Sequence, residues 1–185
     1  MENGHQCVVP VHKPSLKELT FFFSLGVLVS IPFTLFFAQF YPYFPSALAL
    51  IILAPFIEEI VKVFPLFYRH GETERSIVKL GILIGLGFGV SELVLYVAFL
   101  DAPLIVRISG VIFHASSAAV TAYGIAKKNP LPYYLLSVVL HATNNFFAYE
   151  SELTSGLFID LIVLIAAYFL AWRFYNRASN EKMVL

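Results

Sequence analysis

Seven residues in this sequence carry groups that can move protons or hold a cation: Glu58, Glu59, Lys62, Glu92, His114, His141 and Asn145. Their types suit hydrolytic chemistry. A carboxylate in an apolar setting can act as general base toward water, a histidine can stabilise an oxyanion or protonate a leaving amine, and an Asn amide can add a neutral donor. The carboxylates and imidazoles are also the ligands that a divalent ion such as zinc selects, so Glu58, Glu59, Glu92, His114 and His141 are candidate metal ligands. Spacing groups them further. Glu58 and Lys62 are four apart, so on a helix they share a face and can pair, while Glu59 lies three before Lys62. His141 and Asn145 are likewise four apart, and His114 shares its face with Ser117, Ala118 and Thr121. The charges do not balance: if Glu58, Glu59 and Glu92 were all ionised, Lys62 would neutralise only one of them. A protonated glutamate, a charged histidine or a bound metal cation would close the gap.

These groups have to be positioned by membrane-spanning helices. The 185 residues are 59% hydrophobic and only 13% charged, with a mean hydropathy of +0.80, whereas soluble domains average about a quarter charged residues. Such a chain cannot cover a globular surface in water. Spans of about 20 mainly apolar residues are predicted at roughly Leu19–Phe40, Ser46–Phe67, Ile77–Leu100, Leu104–Ala126, Leu131–Tyr149 and Leu153–Tyr175. The expected fold class is an all-α polytopic transmembrane bundle of six helices. A polar N-terminal segment (1–18) precedes this single transmembrane domain (19–175), and a short tail (176–185) follows it. Breakers at Tyr41-Pro42-Tyr43-Phe44-Pro45, Asp101-Ala102-Pro103 and Lys128-Asn129-Pro130 separate the spans. Lys13, Lys17, Arg69, Arg75, Lys79, Lys127, Lys128, Arg173, Arg177 and Lys182 fall on one side; Asp101, Arg107, Glu150 and Glu152 fall on the other. The excess of basic residues puts both termini in the cytoplasm. The first span is too long for a signal-peptide core and reads as an anchor. Cys7, alone, excludes an intramolecular disulfide.

Laid out this way, the second to fifth spans bring titratable groups to similar depth. A charged side chain at mid-bilayer costs about 2.5–3.5 kcal/mol on insertion scales. One intramembrane Glu–Lys pair is ordinary structural glue, and one histidine is ordinary packing. Five such groups at one level are not explained by packing. Asp160 and Arg107, nearer the outer face, are expected to form a structural or snorkelling pair. Gly81, Gly85 and Gly89 recur every four residues, a small-residue stripe that admits a neighbouring helix closely; the segment lacks the setting and the Lys-Ser/Thr of a phosphate loop.

Four stretches together resemble a known family. Glu58-Glu59-Ile60-Val61-Lys62 resembles the Glu-Glu-x-x-Lys motif of PrsW-type intramembrane proteases, within the wider CAAX-prenyl endopeptidase and bacteriocin-processing superfamily. Phe88-Gly89-Val90-Ser91-Glu92 is similar to the second motif, Phe-x-x-x-Glu. His114, followed by Thr121 and Gly124, resembles the third, and His141-Ala142-Thr143-Asn144-Asn145 the fourth. Lys at position 62, with Val at 63, fits the PrsW branch better than the Glu-Glu-x-x-x-Arg branch. The resemblance implies peptide-bond hydrolysis in a prokaryotic cell membrane, on a membrane protein or membrane-associated peptide. The lipid bilayer is the other partner, and no nucleic acid is expected. It also implies Glu58 as base and Lys62 as charge partner. Whether Glu58 activates water directly or zinc does so, held by the histidines and glutamates, stays open at this point. So does a proton- or cation-coupled transporter, which would place the same residues at mid-membrane; no inverted repeat is visible. No Gly-x-Ser-x-Gly sequence supports a serine protease.

Overall fold

The computed structural model of the chain describes residues 12–39, 43–69, 72–150 and 156–184. Cys7, the Tyr41-Pro42 break and Glu152 fall outside them, as does the side chain of Glu150. The main helices are α1 (Leu16–Ala38), α2 (Ala54–Val63), α3 (Glu74–Phe99), α4 (Leu104–Ala126), α5 (Pro130–Glu150) and α6 (Gly156–Arg177). Two short strands, β1 (Glu72–Thr73) and β2 (Met183–Val184), complete the described elements.

The all-helical bundle of six main helices agrees with the sequence, and one expected span is built differently. Among the described residues, Glu74–Phe99 and Arg107–Ala126 are the helices long and apolar enough to cross a membrane, where six spans were expected. The second predicted span is not one helix. It runs as a turn of α-helix at Ser46–Leu48, a π-helical stretch at Ala49–Leu53, α2, and a 3-10 stretch at Phe64–Tyr68. Pro55 explains the break. Ala54 N–H bonds Ala49 O, five residues back, and in that register the carbonyl of Leu50 would need the N–H that Pro55 lacks. Helix α5 is continuous, but Ser137, His141, Asn144 and Asn145 lower its hydropathy.

The bundle is polar inside and apolar outside. Phe21, Leu28, Ile52, Ile105, Ile162, Ile165 and Trp172 are more than half exposed, while Glu59, Lys62, His114, Ser117 and His141 are buried. A protein surrounded by hydrocarbon shows this inversion. Glycines set the helix spacing. A Cβ on Gly85 would lie 2.3 Å from His114 O, and one on Gly89 2.7 Å from Val111 Cα, so α3 and α4 touch backbone to backbone. On the opposite face of α3, a Cβ on Gly87 would lie 2.0 Å from Phe23 O, and Gly26 meets Ile84 O just as closely. That α1–α3 contact has no counterpart in the predicted stripe.

One end of the bundle collects the connections. Strand β1 pairs antiparallel with β2, Glu72 opposite Val184 and Thr73 opposite Met183, and His12 bridges to Glu72 on the other side. Helix α3 starts at Glu74 rather than Ile77 because the Thr73 hydroxyl accepts the Ser76 N–H at 3.1 Å, an N-cap. Glu74 accepts from Lys127 Nζ (2.6 Å) and from the Ser179 N–H (2.9 Å). Val184 is buried with Phe22, Val63, Leu66, Ile77 and Leu80, so strand β2 seals this end with an apolar side chain. Arg107 and Asp160 do not form the expected pair. Each has a buried atom without a partner, Arg107 Nε and Asp160 Oδ1, and the Arg107 guanidinium instead lies 3.5 Å from the centre of the Tyr96 ring.

Candidate active site

Helix α2 supplies Glu58, Glu59 and Lys62, α3 supplies Glu92, α4 His114, and α5 His141. Lys62 bonds Glu59 rather than Glu58: its Nζ lies 2.6 Å from Glu59 Oε1, and both side chains are fully buried. The i,i+3 and i,i+4 spacings offered either carboxylate, and the rotation of α2 in the bundle decides between them. Lys62 Nζ also lies 2.8 Å from His114 Nδ1 and 4.9 Å from the centre of the Phe88 ring.

Proton positions follow from these partners. A lysine ammonium only donates, so His114 Nδ1 accepts from Lys62 and the imidazole proton sits on Nε2. That nitrogen makes a short hydrogen bond to Glu92 Oε2. His141 is wired the other way. Its Nδ1 lies 2.7 Å from Glu59 Oε1, and a carboxylate only accepts, so Nδ1 carries the proton and Nε2 presents a lone pair. Glu59 Oε1 thus receives donors from Lys62, His141 and, at 3.1 Å, Ser117 Oγ.

His141 Nε2 faces Glu58 Oε2 at 3.9 Å, and that oxygen is buried with no hydrogen-bond partner. Two acceptors therefore confront each other with no donor between them. Such a gap calls for a proton, a water or a cation. Glu58 and Glu92 are also the most accessible members, with side chains 18% and 25% exposed against 4% and 5% for His114 and His141. The cluster opens on their side.

A metal ion can be weighed against this wiring. Glu58, His114 and His141 each offer a ligand atom, and the three lie within 4.8 Å of one another. Two imidazoles and a carboxylate form a common catalytic zinc set, and the Glu59 contact fixes His141 in the tautomer a metal needs. His114 fits on one condition: its proton must move from Nε2 to Nδ1, with Lys62 no longer donating there, so that Nε2 is free for the ion. Glu59 and Glu92, also expected as candidate ligands, instead hold the two histidines.

Asn145 is not in the cluster. Its Nδ2 donates to Leu50 O at 2.9 Å, the carbonyl left without a partner by Pro55. Three contacts go beyond what the sequence names: Ser117 as a donor to Glu59, Phe88 beneath Lys62, and Tyr134, whose hydroxyl donates to Phe56 O at 2.6 Å in the first turn of α2. Ser117 was legible only as a neighbour of His114 on one face; nothing in its spacing named Glu59.

No curated protein and no solved structure matches the chain. The family described as PrsW family intramembrane metalloprotease matches it over residues 14–172. That span takes in every residue of the cluster and all the helices that carry them. The chain belongs to the PrsW family of intramembrane metalloproteases and is a peptidase of the membrane.

Proposed function

We propose that this peptidase hydrolyses its substrate with water held between Glu58 Oε2 and His141 Nε2. The confrontation of those two acceptors at 3.9 Å carries the reading. A water there donates one hydrogen to each. Glu58 takes a proton as the water oxygen bonds to the scissile carbonyl carbon, and the His114 Nε2–H, backed by Lys62, turns from Glu92 toward the developing oxyanion. As the C–N bond breaks, the proton on Glu58 passes to the leaving amine, giving a carboxylic acid and an amine. Glu59 is the positioning residue that fixes His141 and Lys62, and Asn145 holds the helix break from which Glu58 projects.

A divalent ion on Glu58, His114 and His141 would supply a Lewis acid that makes bound water more acidic. The family match gives no support to the transport reading. We infer further that all six helices cross the membrane within one domain, with the sealed, basic end and both termini in the cytoplasm. Substrate then reaches the cluster from the Glu58–Glu92 side. The experiment is cleavage of transmembrane peptides by the reconstituted full chain. Glu58→Gln is expected to lower the rate by about 10²–10⁴-fold; equal rates for Glu58→Gln and wild type would overturn the assignment. Activity that survives exhaustive chelation, with no metal found in the protein, would set the metal aside.

A further inference from the structure

Arg107 is a cation that the proposed chemistry leaves unused. It sits on α4 seven residues before His114, on the same helix face and two turns nearer the open end, so about 10 Å away along the axis. Its guanidinium stacks on Tyr96, 3.5 Å from the ring centre. Tyr96 is four residues beyond Glu92 on α3, so it shares that residue's helix face one turn further along. Stacking occupies the flat face of a guanidinium and leaves its donor edge free. That edge has no ion-pair partner among the described residues, and Arg107 Nε is buried without an acceptor. Gly110, three residues on toward His114, has nothing within 4 Å of where a Cβ would be. Helix α4 therefore has open space beside it one turn from Arg107.

We propose that Arg107, held on Tyr96, is a specificity residue that binds a carboxylate of the substrate, an acidic side chain about three residues from the scissile bond. This rests on the hydrolytic reading of the cluster. An extended chain advances about 3.3–3.6 Å per residue, so three residues bridge the distance from His114 to Arg107. A planar carboxylate matches the free guanidinium edge in a bidentate fashion, and an apolar surround makes an unmatched guanidinium costly.

The test uses the full chain in proteoliposomes and transmembrane peptides whose cleavage sites have been mapped by mass spectrometry. Each is then made with Asp, Asn or Lys two to four residues from the cut, on either side. Wild type should prefer the Asp peptide over the Asn peptide about fivefold or more in KM, with a smaller change in kcat. Arg107→Gln should level the three peptides, and Arg107→Glu should favour Lys. Crosslinking of the same peptides to the Glu58→Gln chain reads the preference without turnover, so loss of hydrolysis and loss of charge selection are told apart. If Glu58→Gln still cleaves, the hydrolytic assignment falls while the charge preference remains readable. Indifference of wild type to the three peptides in both cleavage and crosslinking overturns the proposal. So does a uniform loss in Arg107→Gln, which would mark the residue as structural or as an anchor to lipid phosphate.

Discussion

Among the described residues, two places gather histidine with carboxylates closely enough to hold a metal: Glu58, His114 and His141 in the middle of the bundle, and His12, Glu18 and Glu72 at its sealed end. By residue type they are nearly alike. They differ in how donors and acceptors are matched. At the sealed end Arg69 donates to both Glu18 and Glu72, and His12 Nε2 is 3.0 Å from Glu18. The cationic donor already sits between the carboxylates, and the result is a clasp joining the N-terminal segment to the α2–α3 connection. In the middle, Lys62 is drawn away to Glu59 and His114, so that Glu58 and His141 are left facing each other as acceptors. The unfilled gap, and not the inventory of ligands, distinguishes a place for a reactant from a place that holds the chain together.

The strongest way to break this comparison is to remove the cation from each region in turn. Lys62→Met leaves Glu59 ionised and buried with His141 and Ser117 as its remaining donors. Breaking a buried pair from one side costs about 3–5 kcal/mol, so thermal unfolding in detergent should drop sharply and cleavage should be lost. Arg69→Met removes a partly exposed guanidinium from partly exposed Glu18 and from fully buried Glu72. There the cost should be about 1–3 kcal/mol, below that of Lys62→Met because Arg69 and Glu18 reach solvent, with cleavage retained. Equal costs at the two sites would mean that the clasp and the cluster carry similar structural weight.

Acid should separate the regions next. The Ser15 backbone N–H, with Arg69 beside it, holds Glu18 at about 2, below its ordinary 4.5. A carboxyl depressed in the folded state contributes stability above its unfolded value and loses it as pH falls through the folded one. The clasp should therefore loosen as pH drops from about 4.5 toward 2. Hydrogen exchange, corrected for intrinsic rates, should rise around Glu18, Thr73 and Met183 while the α3–α4 contact at Gly85 stays protected. Unchanged exchange at the clasp at pH 3 would contradict the assignment.

How much of this the sequence disclosed follows from what helical spacing can and cannot encode. Depth and order bring Glu58, Glu92, His114 and His141 to one level, because a helix advances regularly and the connections are short. Rotation is not encoded in the same way. Glu58 and Glu59 both lie at helical spacing from Lys62, and only packing of α2 against α4 and α5 assigns Lys62 to Glu59. The π-helical break had a visible signal in Pro55, but reading a span as one uniform apolar run hides it, and with it the partner of Asn145. The Arg107–Tyr96 stack joins two helices through side chains whose reach exceeds any periodicity. The β1–β2 clasp depends on pairing of residues more than a hundred positions apart, between segments of two residues that carry no strand pattern.

The smallest expected effect is the one that sharpens the comparison most. Glu58 accepts no hydrogen bond at its buried oxygen and shares its neighbourhood with Glu59 and Glu92, so its carboxylate is a burden on the folded state. Glu58→Gln removes a crowded negative charge and provides an amide N–H that can fill the gap to His141 Nε2. Stability should stay within about 0.5 kcal/mol of wild type or rise, the pattern expected where activity keeps a site strained, even as cleavage is lost. Glu72→Gln at the clasp should do the reverse, because Glu72 is fully buried and Arg69 would lose its charged acceptor, at a cost of about 1–3 kcal/mol with cleavage retained. Melting temperatures and cleavage rates measured side by side read both. If Glu58→Gln unfolds as readily as Glu72→Gln, Glu58 belongs with the clasp as structure, and the unfilled gap at His141 has no catalytic meaning.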